Sequence, residues 1–165
     1  MDLSFASAVE SDVRAIAVLR TAVADRLTRD FGRGHWSSPV TDRGVLQSLR
    51  GSRVIIARSG AEIVGTLRLA TKKPWAIHPA YFTAVAKALY LTDMAVDPRR
   101  QRTGVGRRLI EEAAAIGRAW PASAIRLDAY DADAGAGEFY LKCGFREVAW
   151  VVYRETPLVY FELLL

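Results

Sequence analysis

Cysteine is almost absent from the sequence, which has one, Cys143. A single cysteine cannot form an internal disulfide, so the fold must be held together by packing. Because no cluster of cysteine and histidine occurs either, we expect no metal site. Cys143 itself is expected to be buried at a helix end rather than reactive.

Long hydrophobic runs are also missing, since no apolar stretch approaches the ~20 residues that a membrane-spanning helix requires. The opening residues, MDLSFASAVESD, lack the basic region and the long apolar stretch of a signal peptide. With 51% hydrophobic and 25% charged residues, the composition is typical of a soluble globular protein. These features together favour a cytoplasmic protein with no membrane partner.

Length and charge restrict the remaining classes of protein. The chain has 165 residues, which fits a single domain, residues 1–165, with a core large enough to need no cross-links. Its net charge of +5 suits an anionic ligand, a nucleic acid or an acidic surface. Charge alone does not choose among these three.

Hydrophobic periodicity predicts the element order β-α-α-β-β-β-α-β-α-β-β, a mixed α/β layer fold. An apolar helical stripe runs from Val13 to Leu27 after an N-cap at Ser11, and Asp42 is expected to cap the next helix. The stretch RVIIARSGAEIVGTLRL predicts a hairpin in which Gly65 marks a bulge or a close backbone approach. The run ALYLTDMAV is typical of a central strand buried on both faces.

The second half of the chain continues this alternation. A helix from Gly104 ends before Pro121, and another is predicted from Asp133 to Cys143, with Gly144 as its left-handed C-terminal residue. Two strands follow, FREVAWVVY and LVYFELLL. Because the last strand is unusually apolar, we expect it to lie in the sheet core or to pair across a dimer, which favours a homodimer.

A glycine-containing loop, QRTGVG at 101–106, joins the central strand to a helix. The first amides of a helix have no internal partners and carry the positive end of its dipole. Glycine lets a phosphate approach those amides, and arginine adds charge-assisted hydrogen bonds. A bound anion would therefore compensate for the repulsion among the arginines around this loop, which are Arg99, Arg100, Arg102, Arg107 and Arg108.

Two common phosphate-binding motifs do not fit this loop. A P-loop requires Lys followed by Ser or Thr after its second glycine, where this chain has Arg107 and Arg108. The dinucleotide-binding fingerprint requires a third glycine, where Leu109 stands.

A third motif does fit. The pattern Gln-x-x-Gly-x-Gly, formed by Gln101, Gly104 and Gly106 between a strand and an amphipathic helix, resembles the acyl-CoA-binding motif of the GNAT superfamily of N-acyltransferases. The second signature of that family is Asn-x-x-Ala-x-x-hydrophobic-Tyr-x-x-x-Gly-Phe, and DADAGAGEFYLKCGF resembles it with Asp133 in place of Asn. The residues that match this signature are Ala136, Phe139, Tyr140, Gly144 and Phe145.

The resemblance covers nearly the whole chain and implies a fold and a co-substrate. The implied fold is α/β (α+β), with a mixed, mostly antiparallel central sheet splayed between the fourth and fifth strands. Acetyl-CoA is the implied co-substrate, and Asp133 would be unfavourable near its phosphates. The residues implied to bind it are Met94, Ala95, Val96, Gln101, Arg102, Thr103, Gly104, Val105, Gly106, Arg107, Asp133 and Ala136.

The resemblance also implies direct attack of an amine on the thioester through a tetrahedral intermediate. Tyr140 matches the family tyrosine that meets the coenzyme A sulfur and is the expected acid, while a backbone amide near Met94–Val96 is the expected oxyanion donor. The base stays open between Asp128, Asp93 and a water chain. Each carboxylate has the alternative of an ordinary ion pair with an arginine such as Arg126.

The acceptor is expected to be the primary amine of a small molecule, because the long loops 29–41 and 71–87 favour a roofed pocket. The alternatives are a protein or peptide N-acetyltransferase and a coenzyme A-binding sensor or nucleic-acid module without turnover. No aromatic platform of the RNA-binding type accompanies the arginines, so no nucleic-acid partner is expected. The candidate acceptor-binding residues are Asp30, Phe31, His35, Trp36, Trp75 and Tyr81, with Phe82 beside them.

Overall fold

Four α-helices and seven β-strands form the residues described by this computed structural model, which are 2–165. They occur in the predicted order, with short 3-10 turns at 10–12, 35–37 and 79–81. The helices are α1 (Val13–Phe31), α2 (Asp42–Gly51), α3 (Val105–Ala119) and α4 (Gly137–Lys142). The strands are β1 (Ser4–Ser7), β2 (Arg53–Ser59), β3 (Glu62–Ala70), β4 (Ala88–Val96), β5 (Ala124–Tyr130), β6 (Arg146–Tyr153) and β7 (Thr156–Leu164).

The strands form one mixed sheet in the order β1-β2-β3-β4-β5-β7-β6. β4 and β5 are parallel, and β1 with β2, β2 with β3, β5 with β7 and β6 with β7 are antiparallel. This confirms the expected mixed, mostly antiparallel sheet. The parallel pairing joins Ala88–Tyr90 to Ala124–Arg126, although the two strands continue to Val96 and Tyr130, and such a short pairing is what the expected splay requires.

The described chain divides into two units, each with its own apolar cluster. The first contains residues up to Leu69 together with Thr92–Ala113, and the second contains Ala70–Leu91 together with Ala114–Leu165. β4 and α3 therefore contribute residues to both. That residues 1–165 act as a single domain stays a prediction.

In the first unit, the predicted apolar stripe of α1 packs with α2 and β2. Val13, Ile16 and Leu19 of α1 are buried in one cluster with Val45 of α2 and Val54 of β2. This cluster fixes α1 and α2 on one part of the sheet.

The starts of these two helices differ from the prediction. α1 follows a 3-10 turn in which the Asp12 carboxylate accepts the Val9 amide at 3.0 Å, so Ser11 is not the cap. α2 is capped by Thr41, whose hydroxyl accepts the amide of Gly44 at 3.1 Å, and Asp42 is already its first residue. In α2 the Thr41 hydroxyl satisfies one of the unpaired amides, whereas the Asp12 carboxylate bonds the turn that precedes α1 and not an amide of that helix.

In the second unit, β7 lies between β5 and β6. This confirms that LVYFELLL lies in the sheet. Because both edges of β7 are already paired, the alternative in which this strand pairs across a dimer is wrong. A homodimer formed through another surface stays a prediction.

α4 is shorter than predicted, because a turn occupies the residues where we expected it to begin. The helix starts at Gly137 and not at Asp133. The Gly135 amide donates a hydrogen bond to the Ala132 carbonyl at 2.8 Å. A Cβ on Gly135 would lie 1.9 Å from the carbonyl oxygen of Tyr130. The turn thus folds back on the end of β5, and only glycine fits there. The expected end of the helix is confirmed, with Gly144 at φ +91°.

Candidate functional site

The loop between β4 and α3 is built around a buried carboxylate. Asp97 accepts the Arg99 amide at 2.8 Å and three hydrogen bonds from its guanidinium, two from Nε at 3.2 Å and one from Nη2 at 2.6 Å. These bonds hold the pKa of Asp97 below its usual value. Arg99 also pairs with Glu62, and Arg108 lies over the Phe5 ring at 5.1 Å, so both of these arginines contact groups of the protein itself.

Two polar side chains of the loop brace its backbone. The Gln101 amide nitrogen donates to the Val96 carbonyl at 3.3 Å, and the Thr103 hydroxyl donates to the Arg100 carbonyl at 2.6 Å. The loop also contains two left-handed residues, Arg102 at φ +63° and Gly104 at φ +95°. The sequence motif therefore includes residues that shape the loop as well as residues that face solvent.

The first turn of α3 begins at Val105, directly after this loop. The Gly104 carbonyl accepts the Arg108 amide at 3.1 Å, whereas a Cβ on Gly104 would have nothing within 4 Å. The space above the loop is therefore open at the point where helix amides lack internal partners. With the exposed side chains of Arg102 and Arg107 nearby in sequence, this loop fits a diphosphate group.

Gly65 of β3 determines how closely α3 approaches the sheet. A Cβ at this position would lie 2.8 Å from Leu109 Cδ1 and 3.0 Å from Val105 Cγ1. The pairing of β2 with β3 also shifts register here, because Ala57 pairs with Gly65 and Arg58 with Ile63, which leaves Val64 as an extra residue in β3. Both the predicted bulge and the predicted close approach are confirmed.

The β4 segment beside the loop contains a distorted residue. Asp93 has φ +55° within the strand, and it precedes Met94, Ala95 and Val96. Its carboxylate accepts from Arg20 at 2.7 Å and lies 3.7 Å from Arg68. Asp93 therefore takes part in ion pairs, with arginines other than the one that we expected.

Tyr140, the expected acid, is buried in the second unit. Its ring contacts those of Phe139, Phe145 and Phe161, with centroids 5.2, 5.6 and 5.9 Å away. Burial raises the pKa of Tyr140 well above its usual value, and the charge of Asp128 adds to the rise. Its hydroxyl is therefore protonated at neutral pH.

Asp128, one of the expected bases, is half-buried on β5 opposite Tyr160 of β7. Burial raises the pKa of its carboxyl group. The alternative in which Asp128 pairs with Arg126 is wrong, because Arg126 pairs with Glu162 instead. Its Nε lies 3.4 Å from Glu162, and its Nη2 donates to the Thr83 carbonyl at 2.7 Å. The raised pKa brings Asp128 closer to neutral pH, as a general base requires.

The second signature has two further residues at the turn before α4. Ala136 is the residue that precedes the helix. Asp133 is exposed in the turn, so it does not cap α4 as its position in the motif predicts. Its carboxylate faces solvent.

The candidate acceptor residues of the first unit lie at the end of α1 and in the following turn. Asp30 pairs with Arg26 one turn earlier, while Phe31 and His35 are exposed. The Trp36 indole donates to the Gly32 carbonyl at 2.9 Å, and its ring stands 2.5 Å from where a Gly34 Cβ would be. Trp36 thus packs over the glycine turn.

The candidates of the second unit lie around the 3-10 turn 79–81. Trp75 is 85% exposed and Tyr81 54% exposed, while Phe82 is buried and stacked on Tyr160 at 5.2 Å. The Tyr160 hydroxyl donates to the Ala76 carbonyl and accepts the His78 amide. These contacts fix the loop 71–87 on β7.

Sequence reasoning missed a buried charged network under this loop. Glu162 accepts from Arg146 and from the Thr83 hydroxyl, each at 2.7 Å, and lies against Arg126, whose guanidinium is 4.9 Å from the Phe82 ring. Burial alone raises the pKa of Glu162, but the bonds from Arg146 and Thr83 outweigh it and hold the pKa below its usual value. The sequence did contain a signal for this network, because Arg126 and Glu162 are charged residues inside two otherwise apolar strands.

Within residues 2–165, no group of histidine, cysteine or acidic side chains is arranged to hold a metal ion. Nor does any helix of that part of the chain have the length and apolar character needed to cross a bilayer.

Comparison with known proteins adds a family and a set of similar folds. The model of the acetyltransferase (GNAT) family matches residues 20–145. No curated protein matches the chain significantly.

Solved structures with the same fold are 13–19% identical to this chain. A ribosomal-protein-alanine N-acetyltransferase from Brucella melitensis is 17% identical over 98% of this chain and 99% of that one, with a TM-score of 0.75. The N-acetyltransferase PaiA from Thermoplasma acidophilum, solved with coenzyme A, is 13% identical over 97% and 98%, with a TM-score of 0.75. An acetyltransferase from Thermus thermophilus is 19% identical over 100% and 98%, with a TM-score of 0.70.

Proposed function

The chain belongs to the acetyltransferase (GNAT) family, and on that premise we propose that it is an acetyl-CoA-dependent N-acetyltransferase that modifies the primary amine of a small molecule. One observation carries the proposal: the loop before α3 presents a left-handed glycine, Gly104, with open space above it at the start of a 15-residue helix. Such a helix start suits the diphosphate of coenzyme A.

The reaction moves an acetyl group from sulfur to nitrogen. The acceptor ammonium first loses one proton, and the free amine then forms the C–N bond as the C–S bond breaks. The nitrogen loses a second proton as the amide forms, and the departing thiolate gains one, so that one proton in total is released. We assign an amide of Met94–Val96 to the oxyanion. Asp128 is the proposed proton acceptor, because its raised pKa makes it a stronger base than an ordinary aspartate.

Tyr140 is the proposed acid toward the thiolate. Because its pKa is raised, the hydroxyl stays protonated and can donate a hydrogen bond as negative charge develops on sulfur. A thiol has a pKa of about 8.5, so complete proton transfer from this tyrosine would be unfavourable. Its contribution is therefore mainly to stabilise the leaving group while solvent supplies the final proton.

A peptide or protein N-terminus is the second candidate acceptor. Two structures with the same fold carry the name of ribosomal-protein-alanine N-acetyltransferases, and the exposed Trp75 and Tyr81 could contact an extended chain. Peptides therefore belong in the substrate panel. In cells we expect the reaction in the cytoplasm.

The experiment that tests the proposal measures thiol release from acetyl-CoA with polyamines, amino acids, aminoglycosides and peptides, together with calorimetry of acetyl-CoA binding. We expect acetyl-CoA to bind and one class of amine to release thiol. Tyr140→Phe should lower kcat about 10²- to 10³-fold, the cost of losing one hydrogen-bond donor to developing negative charge, and keep binding, whereas Tyr153→Phe, on β6, should change neither.

Two results would contradict the proposal. If calorimetry showed no heat of acetyl-CoA binding, the proposed coenzyme A site would be contradicted. Binding without thiol release from any amine, unchanged in Tyr140→Phe, would instead indicate a sensor.

A further inference from the structure

A cluster of three charged side chains in the first unit has no role in the coenzyme A site proposed above. Arg20 of α1 donates to Asp93 of β4 at 2.7 Å, and Arg68 of β3 lies 3.7 Å from the other oxygen of the same carboxylate. The side chains of Arg20, Arg68 and Asp93 are 22%, 32% and 29% exposed. The cluster is thus partly shielded from water but still accessible.

The charges of this cluster do not balance. Two guanidinium groups share one carboxylate, which leaves an excess of one positive charge in a partly buried position where charges interact more strongly than in water. The distance of 3.7 Å between Arg68 and Asp93 is too long for a hydrogen bond. The Nη edge of Arg68 can therefore accommodate another acceptor, and a second anion would balance the charge.

Arg68 is also held in a defined orientation. Its Nε donates to the Ser52 hydroxyl at 2.6 Å, and that hydroxyl donates to the Ser48 carbonyl at 2.6 Å. The same three charged residues also border a small cavity, whose remaining lining is mostly apolar. A guanidinium fixed on one side in this way is suited to bidentate recognition of a carboxylate by its other nitrogens.

The position of the cluster along the chain connects it to the proposed chemistry. Asp93 has the left-handed φ of +55°, a conformation that costs about 1–3 kcal/mol and persists only where the surroundings enforce it. The next residue is Met94, the first of the segment to which we assign the oxyanion. An anion bound by Arg20 and Arg68 would lie beside that segment.

We propose that the acceptor is an amine that also carries a carboxylate, as an amino acid does, and that Arg20 and Arg68 bind the carboxylate. This inference rests on the proposed function and adds the class of acceptor to it. An amine with no negative group would meet only the excess positive charge and the already paired Asp93.

The test on the unmodified protein compares amino acids with their carboxamides in the thiol-release assay, with kcat/KM expressed per concentration of free amine, because loss of the carboxylate also lowers the pKa of the amine. We expect kcat/KM to be about 10- to 100-fold higher for the free acids, the range given by one charge-assisted hydrogen bond. Equal or faster reaction of the carboxamides would overturn this inference while leaving the proposed function intact. A lack of thiol release from every amine would instead count against the proposed function.

A pair of variants then tests the assignment to Arg68. Arg68→Gln should raise KM for the acid more than for the carboxamide, so that the ratio of their kcat/KM values falls toward 1. Arg14→Gln, on an exposed arginine of α1 that pairs with Asp42 at 3.4 Å, should keep the ratio of the unmodified protein. Acetyl-CoA binding by both variants checks that they fold, and an unchanged ratio in a folded Arg68→Gln would contradict the proposal.

Discussion

At the scale of single residues, the loop before α3 separates side chains that shape the backbone from positions left open to a ligand. Asp97, Gln101 and Thr103 bond to the loop itself, whereas Gly104 has open space beside it. A glycine kept at φ +95° serves two purposes, because it permits the turn and leaves no side chain before the helix amides. These two purposes can be measured separately.

Gly104→Ala should lower both stability and binding, while Gly60→Ala should lower stability alone. Both glycines have a positive φ and nothing within 4 Å of an added Cβ, so each alanine should cost about 1–2 kcal/mol of unfolding free energy. Only the methyl group at 104 would stand before the proposed diphosphate site, and we expect it to raise the Kd for acetyl-CoA about tenfold or more. Urea unfolding and calorimetry measure the two effects; equal binding by both variants would contradict the site.

Asp128→Asn should stabilise the protein at neutral pH while it removes the proposed base. Because burial raises the folded-state pKa of Asp128, ionisation opposes folding at every pH above that of the unfolded carboxyl, near 3.9. A tenfold weaker acid in the folded state corresponds to about 1.4 kcal/mol of unfolding free energy. The gain in the variant should therefore be largest at pH 7 and vanish below about pH 3.9, as followed by thermal unfolding across pH.

Asp128→Asn should be less active than the unmodified protein at pH values above the folded-state pKa of Asp128, where the carboxylate would act as the base. We expect kcat to fall about 10²-fold or more. A variant that is less stable at pH 7 and as active as the unmodified protein would contradict both the burial argument and the proposed base.

The chemistry of single residues was more predictable from the sequence than their partners. Asp93 and Asp128 stand out as carboxylates in apolar strands, and the sequence was sufficient to identify them. Arg20, which pairs with Asp93, is 73 residues away, and no local pattern relates the two. Arg126 likewise pairs with Glu162 and not with Asp93 or Asp128, and this depends on which strands become neighbours in the sheet.

At the scale of secondary-structure elements, the position of α3 depends on one glycine of β3. Gly65→Ala would add a methyl group 2.8 Å from Leu109 Cδ1 and 3.0 Å from Val105 Cγ1, which should displace the first turn of the helix and cost about 1–3 kcal/mol. Gly51→Ala, at the end of α2, has nothing within 4 Å and should be neutral or stabilising. Equal stability of the two variants would contradict this account of the helix position.

The position of the loop 71–87 depends on a buried ion pair between Glu162 and Arg126. Glu162→Gln would leave Arg126, whose side chain is 7% exposed, without its counter-charge, and should cost about 3–5 kcal/mol. Arg146→Gln removes a partner that is 58% exposed and should cost about 1 kcal/mol or less. Denaturant unfolding of the two variants compares these costs.

The loss of stability in Glu162→Gln should depend on pH in a defined direction. Since the folded-state pKa of Glu162 is lowered, its stabilisation is present above the ordinary glutamate pKa and is lost as pH falls through the folded value. The difference between Glu162→Gln and the unmodified protein should therefore narrow in acid. A constant difference down to about pH 2, well below the ordinary glutamate pKa, would contradict the role of the charge.

Elements were predictable where periodicity is strong and unpredictable where tertiary contacts fix their ends. The order of all eleven elements follows from apolar spacing, and Val13, Ile16 and Leu19 are buried as their spacing requires. The start of α4 could not be predicted, because Asp133 is a good capping residue in isolation. The turn at Gly135 against β5 overrides that local preference.

At the scale of the whole molecule, the net charge of +5 should make binding of acetyl-CoA sensitive to salt. The Debye length falls from about 30 Å at 0.01 M to about 3 Å at 1 M, so we expect the Kd to rise several-fold across this range. Acetylated pantetheine, which lacks the phosphates, should show little change. Calorimetry at a series of salt concentrations measures both, and parallel behaviour of the two compounds would contradict phosphate recognition.

The location of β7 between β5 and β6 also determines when half of the sheet can form during synthesis. β5 emerges from the ribosome first and β6 next, yet both must wait for Thr156–Leu164, the strand that joins them. Until then, β5 and β6 expose unpaired edges, which are prone to association with other chains. A chain that ends after Tyr153 and lacks β7 should therefore be a target for chaperones and give little folded protein.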